Sequence, residues 1–181
     1  MQQPFTVFAR LLHWLMAILI LAMLFIGVGM VASLTDYHWL VSIHKPIGAL
    51  ILVLVVVRLI NRLIHPAPPL PAAMPGWQRF AAHGSHVVLY GLMFALPLVG
   101  WGMLSAAHTP VVLYGSLHLP PILPADAALY AALRTAHTVL ALLLFLTFLA
   151  HLGAALMHAL LFRDGVFESM ASGRSNNPAD R

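Results

Sequence analysis

The stretch His137-Thr-Val-Leu-Ala-Leu-Leu-Leu-Phe-Leu-Thr-Phe-Leu-Ala-His151 sets two imidazoles at the ends of thirteen residues among which only two threonines are polar. The fourteen-residue spacing is almost four turns at about 3.6 residues per turn, so both histidines share one helix face about 21 Å apart along the axis. Extended to 136–161, the apolar run is long enough to cross about 30 Å of hydrocarbon at about 1.5 Å per residue. An imidazole near each surface of such a helix is costly, and intramembrane ionisable groups mark function.

Three more stretches, 11–32, 44–64 and 83–104, are long and apolar enough to span, which predicts an all-α, integral membrane four-helix bundle. Of the 181 residues, 61% are hydrophobic and 8% charged, and the mean hydropathy is +0.92; a soluble domain carries roughly a quarter charged residues. The partner implied is therefore the lipid bilayer. The excess of nine Lys and Arg over five Asp and Glu is too sparse to read as a nucleic-acid footprint. With no cysteine in the chain, intrachain disulfides, thiolate zinc sites, iron–sulfur clusters and thioether-linked haem are excluded.

Residues 33–43, the Pro-rich segment around Pro66, Pro68, Pro69, Pro71 and Pro75, and a link over 105–135 connect the spans. Pro97 falls inside the third span, where a kink is expected rather than a break. We expect one domain over 1–170 and a flexible tail over 171–181. The first residues lack the layout of a cleaved leader, so the first span is read as retained.

Four spans put both termini and the Pro-rich loop on one side, with Arg10, Arg58, Arg62, Arg79, Arg163, Arg174 and Arg181. The other side has Lys45 and Arg134. Seven against two predicts cytoplasmic termini in a multi-pass inner-membrane protein.

Chain direction then pairs the histidines by depth. His44 opens the second span on the outer side, where His137 lies, and His13 opens the first on the cytoplasmic side, where His151 lies. Two bis-imidazole layers from facing helices are a common way for a bundle to hold two b-type haems, with no open position on iron. A compact zinc or copper site would need its ligands together, not on two distant levels. His83, His86 and His158 are alternatives for the inner layer on spacing alone. His38, His65, His108 and His118 fall in connections and are read as solvated, and the four tryptophans as interfacial anchors.

Several ordered strings resemble the bacterial cytochrome b561 family over nearly the whole chain. They are Arg-x-x-His-Trp at 10–14, His-Lys-x-x-Gly at 44–48, Arg-Leu-x-x-Arg-Leu at 58–63, His-x-x-His at 83–86, and Ala-Leu-Pro at 95–97. His137, His151, Ala-Ala-Leu-x-His at 154–158 and Arg-Asp-Gly at 163–165 complete them, while Ser169 stands where the family has a basic residue before Met170. The resemblance implies a four-helix dihaem cytochrome of the inner membrane with ligands at His13, His44, His137 and His151. It also implies a superoxide oxidase, passing electrons from superoxide to ubiquinone.

On that reading Lys45 and Arg134 crowd the outer haem and steer an anion to it. Arg58, fourteen residues after His44, reaches the inner haem, where an intramembrane Arg needs an anion such as a propionate; Arg10 assists. His158, with Arg163 about a turn further on, is the candidate for binding quinone and relaying its proton. Two other functions stay open: a cytochrome subunit anchoring a dehydrogenase or hydrogenase, and a non-redox transporter or assembly factor. A redox protein partner or a homodimer also stays open.

Overall fold

The computed structural model describes residues 5–173. Its four long helices are α1 (Val7–Ala32), α2 (Tyr37–Ile64), α3 (Gly76–Ala106) and α4 (Ala127–Met157). A two-stranded antiparallel hairpin, β1 (Val111–Tyr114) and β2 (Leu117–Leu119), lies between α3 and α4. After α4 come a π-helical turn, His158–Phe162, and a short α5, Val166–Ala171. The protein is an all-α membrane bundle with four helices long and apolar enough to cross a bilayer.

Each helix forms because its interior is dominated by Leu, Ala, Val and Ile, and two of the starts are capped. Thr6 Oγ1 accepts from Ala9 N at 3.2 Å, and Asp126 Oδ1 accepts from Leu129 N at 2.7 Å, satisfying N–H groups that no helical carbonyl can reach. Pro97 sits inside α3 and Pro46 inside α2, and both helices continue past them.

All four helices begin earlier than expected, α1 at Val7 rather than at Leu11. Most of 33–43 is the first turns of α2, because breaker residues lie only at 33–36 while Trp39, Leu40, Val41 and Ile43 extend the apolar run. α3 starts at Gly76 rather than at His83, and the Ala-rich segment from Ala127 adds more than two turns to α4. The 105–135 link is a structured cover. Trp101 Nε1 donates to Pro120 O at 2.8 Å, Ile122 N donates to Ser105 Oγ at 3.1 Å, and Asp126 N donates to Ala106 O at 3.1 Å. Of the expected tail 171–181, residues 174–181 lie outside the described residues.

The core is one cluster through the bundle: Leu12, Met16 and Ile20 from α1, Ile51 and Val55 from α2, Leu92, Met93 and Leu96 from α3, and Leu144 from α4. Leu144 is midway between His137 and His151 in the sequence, so the middle of this apolar cluster separates the two histidine levels. Large apolar side chains point outward elsewhere, Phe25 at 71% and Val31 at 87% exposure among them. A surface of that kind is stable in lipid, where helices associate by close packing and polar contacts rather than by escaping water.

Helix packing is uneven in a way that matters for the site. α1 packs on α2, α2 on α3, and α3 most extensively on α4. Among the described residues α4 makes at most marginal backbone contact with α1 or α2.

Candidate functional site

Across that space between α4 and the first two helices the histidines face one another. On the side away from the termini, the rings of His44 and His137 have centroids 6.2 Å apart at an interplanar angle of 64°. On the side of the termini, His13 and His151 stand 6.4 Å apart at 68°.

These spacings can be compared with what a metal between two imidazoles requires. A metal–nitrogen bond of about 2.0–2.1 Å, plus about 1.1 Å from nitrogen to ring centre, gives about 6.3 Å when doubled across a linear pair. Both pairs are within 0.1 Å of that span. The residues present therefore fit a bis-imidazole group at each level. Among the described residues no cluster of three or more His, Cys, Asp or Glu forms a compact metal site.

His86 joins the terminal-side level from α3, its ring 5.4 Å from that of His151. By the same arithmetic it is too close to be the partner across a metal, so His13 is the better match to His151. The earlier start of α3 places His86 within the bundle, whereas His83 stays exposed and Nδ1 donates to Arg79 O at 2.7 Å.

Arg58 is half-buried on α2 at this level. Its Nε donates to Tyr90 Oη at 3.1 Å, Nη2 donates to His13 Nδ1 at 3.0 Å, and Nη1 is buried without a partner. Arg62 lies over the Tyr90 ring, 5.9 Å from its centroid. Both hydrogen-bond partners of Arg58 are uncharged side chains, so the guanidinium still lacks an anion, and a cation in hydrocarbon costs about 2.5–3.5 kcal/mol at a helix centre. Arg10, one turn before His13, has Nε buried without a partner, and its guanidinium lies against Gly173.

On the opposite level Lys45 is half-buried and Arg134 exposed, and neither forms an ion pair among the described residues. The acidic residues of that side are occupied locally: Asp36 accepts from Ser33 Oγ, and Asp126 caps α4. Gly100 of α3 makes room for His137, since a Cβ there would lie 3.3 Å from His137 Cε1.

His158 begins the π-helical turn, and its Nδ1 is 2.7 Å from Asp164 Oδ2. Arg163 adopts a left-handed conformation with φ 50°, is exposed, and Nε donates to Leu160 O at 3.2 Å. Sequence reasoning singled out neither Asp164, Tyr90 nor Gly100. Asp164 was visible only as part of a string, Tyr90 is 32 residues from Arg58, and Gly100 carries no chemistry of its own.

Residues 4–173 match the family described as prokaryotic cytochrome b561. The chain is 30% identical over 160 residues to a probable superoxide oxidase, CybB, of Yersinia pestis, covering 88% of this chain and 90% of that protein. It is 39% identical over 98 residues to cytochrome b561 homolog 2 of Escherichia coli strain K12, covering 52% of each, so the match spans about half the length of that relative.

Proposed function

This chain belongs to the prokaryotic cytochrome b561 family, a family of membrane electron-transfer proteins with b-type haem, and we propose that it is a dihaem superoxide:ubiquinone oxidoreductase. Its bound haems supply reversible one-electron chemistry. His44 with His137, and His13 with His151, hold them at two levels. The observation that carries this is the matched spacing of the two pairs, 6.2 and 6.4 Å, across helices that otherwise barely touch.

Two superoxide anions each give up one electron on the side away from the termini and leave as dioxygen. Two electrons and two protons convert one ubiquinone to ubiquinol on the side of the termini. Lys45 and Arg134, without carboxylate partners among the described residues, attract the anion. No proton is needed there, since superoxide only loses an electron. Quinone reduction consumes protons, and His158, with Arg163 nearby, serves that end. The positive charge gathered on the side of the termini makes it the cytoplasmic one.

Ligation through Nε2 of His13 requires the proton on Nδ1, the atom that now accepts from Arg58. Arg58 then needs another acceptor, and a haem propionate is the anion this chain does not itself supply. The 30% identity to a probable superoxide oxidase favours superoxide as donor. Mixing the haem-loaded protein with superoxide and following the haem absorbance tests the reading; absorbance that does not change overturns it.

A second reading, a cytochrome subunit receiving electrons from a docked dehydrogenase or hydrogenase, is favoured by the β1–β2 hairpin, which exposes Tyr114 at 87% and Leu117 at 60%. Co-purification of a redox subunit, lost on Tyr114→Ser/Leu117→Ser, would favour it.

A further inference from the structure

The pairing of His158 with Asp164 adds a residue to the quinone end. Asp164 is partly buried and is fixed from both carboxylate oxygens: Oδ2 faces His158 Nδ1 at 2.7 Å, and Oδ1 accepts from Val166 N at 3.2 Å. The backbone is shaped for this. The π-helical turn carries His158, Arg163 is left-handed at φ 50°, and Gly165 at φ 83° starts α5, so the chain doubles back and brings residue 164 beneath residue 158. Single π-helical turns are frequent at functional sites, and a left-handed non-glycine residue costs energy that the surrounding structure must offset. The imidazole also packs on Phe162, edge-on at 5.2 Å between centroids.

An ionised carboxylate only accepts hydrogen bonds, so the imidazole nitrogen facing it carries a proton. We propose that Asp164 is the positioning residue of the quinone end, holding His158 in the tautomer and orientation that leave Nε2 as the atom exchanging protons with a quinone oxygen. This rests on the reading of His158 as the group that meets ubiquinone. The general logic is that a carboxylate on Nδ1–H fixes which imidazole nitrogen does the work. Nε2 takes a proton from water on the side of the termini. It passes that proton to a quinone oxygen as the oxygen gains its electron, the N–H bond breaking as the O–H bond forms. A second electron and proton follow in the same way, so two of each produce one quinol. Among the described residues, the other charged groups on the elements packed around His158 are Arg163, at the end of its turn, Glu168, on α5, and Arg134, at the far end of α4.

The test uses the haem-loaded protein as wild type, Asp164→Asn, Asp164→Glu and His158→Gln. Asparagine keeps an acceptor for Val166 N but can donate to Nδ1, which frees the other tautomer. Nitrogen-15 NMR of labelled histidine reads the tautomer directly, and stopped-flow reoxidation of dithionite-reduced haem by a soluble short-chain ubiquinone reads the chemistry. We expect the Nδ1–H form in wild type and in Asp164→Glu, and its loss in Asp164→Asn. Asp164→Asn should lower kcat about tenfold with KM changed less than about twofold, and Asp164→Glu should recover most of the rate. His158→Gln should be slower than either. If His158→Gln is slow but Asp164→Asn keeps the wild-type tautomer or the wild-type kcat, the role of Asp164 is overturned and the quinone reading stands. If His158→Gln reoxidises at the wild-type rate, the quinone reading falls and the role of Asp164 falls with it.

Discussion

Nη2 of Arg58 lies 3.0 Å from Nδ1 of His13, and the contact runs one way, because a guanidinium has no acceptor. The same arginine is held by Tyr90, 32 residues further along, and its third nitrogen is buried without a partner. A cation so fixed beside a candidate ligand adds positive charge to the terminal-side level.

Replacing it therefore has a predictable sign. A positive charge favours the reduced, more negative state of a nearby redox centre, so Arg58→Gln should lower the midpoint potential of the terminal-side haem. The shift should be about 60 mV, equivalent to a tenfold change for one electron. Potentiometric titration of the absorbance spectrum measures it, and the other haem should move far less.

Gly100→Ala should disturb the opposite level alone. The added Cβ would press on His137 at 3.3 Å, so the ring must turn or shift by a few tenths of an ångström. In electron paramagnetic resonance, the low-spin signal of the far-side haem should change while that of the terminal-side haem stays as in wild type. The helix tolerates the change, since alanine is favoured over glycine by about 1 kcal/mol in a helix interior.

Lys45→Ala/Arg134→Ala should slow haem reduction by superoxide about tenfold at low ionic strength and flatten its dependence on salt. Wild-type kinetics in this variant, measured by pulsed generation of superoxide, would remove the two cations from the account.

Much of this is legible in the sequence, for physical reasons that differ by residue. The fourteen-residue spacing of His137 and His151 can be read because a helix fixes face and depth together, and which histidines share a level follows from crossing order. The extra turns of α2 and α4 were not, because 33–43 and 127–135 read as connections when only hydrocarbon-length runs are sought; interfacial turns lie outside that length. The β1–β2 hairpin was missed for the same reason. Spacing makes His86 an inner-level alternative, and α3 puts it beside His151. The carboxylate on His158 depends on a left-handed residue and a π-helical turn, and no periodicity announces either.

The central claim is two haems, one per histidine pair, and the haem-to-protein ratio tests it most directly. Measured by pyridine haemochrome on purified protein, wild type should hold two haems per chain. His44→Ala/His137→Ala and His13→Ala/His151→Ala should hold one each, and the two remaining spectra should sum to that of wild type. A wild-type ratio of one, or a ratio of two retained in either double variant, would contradict it.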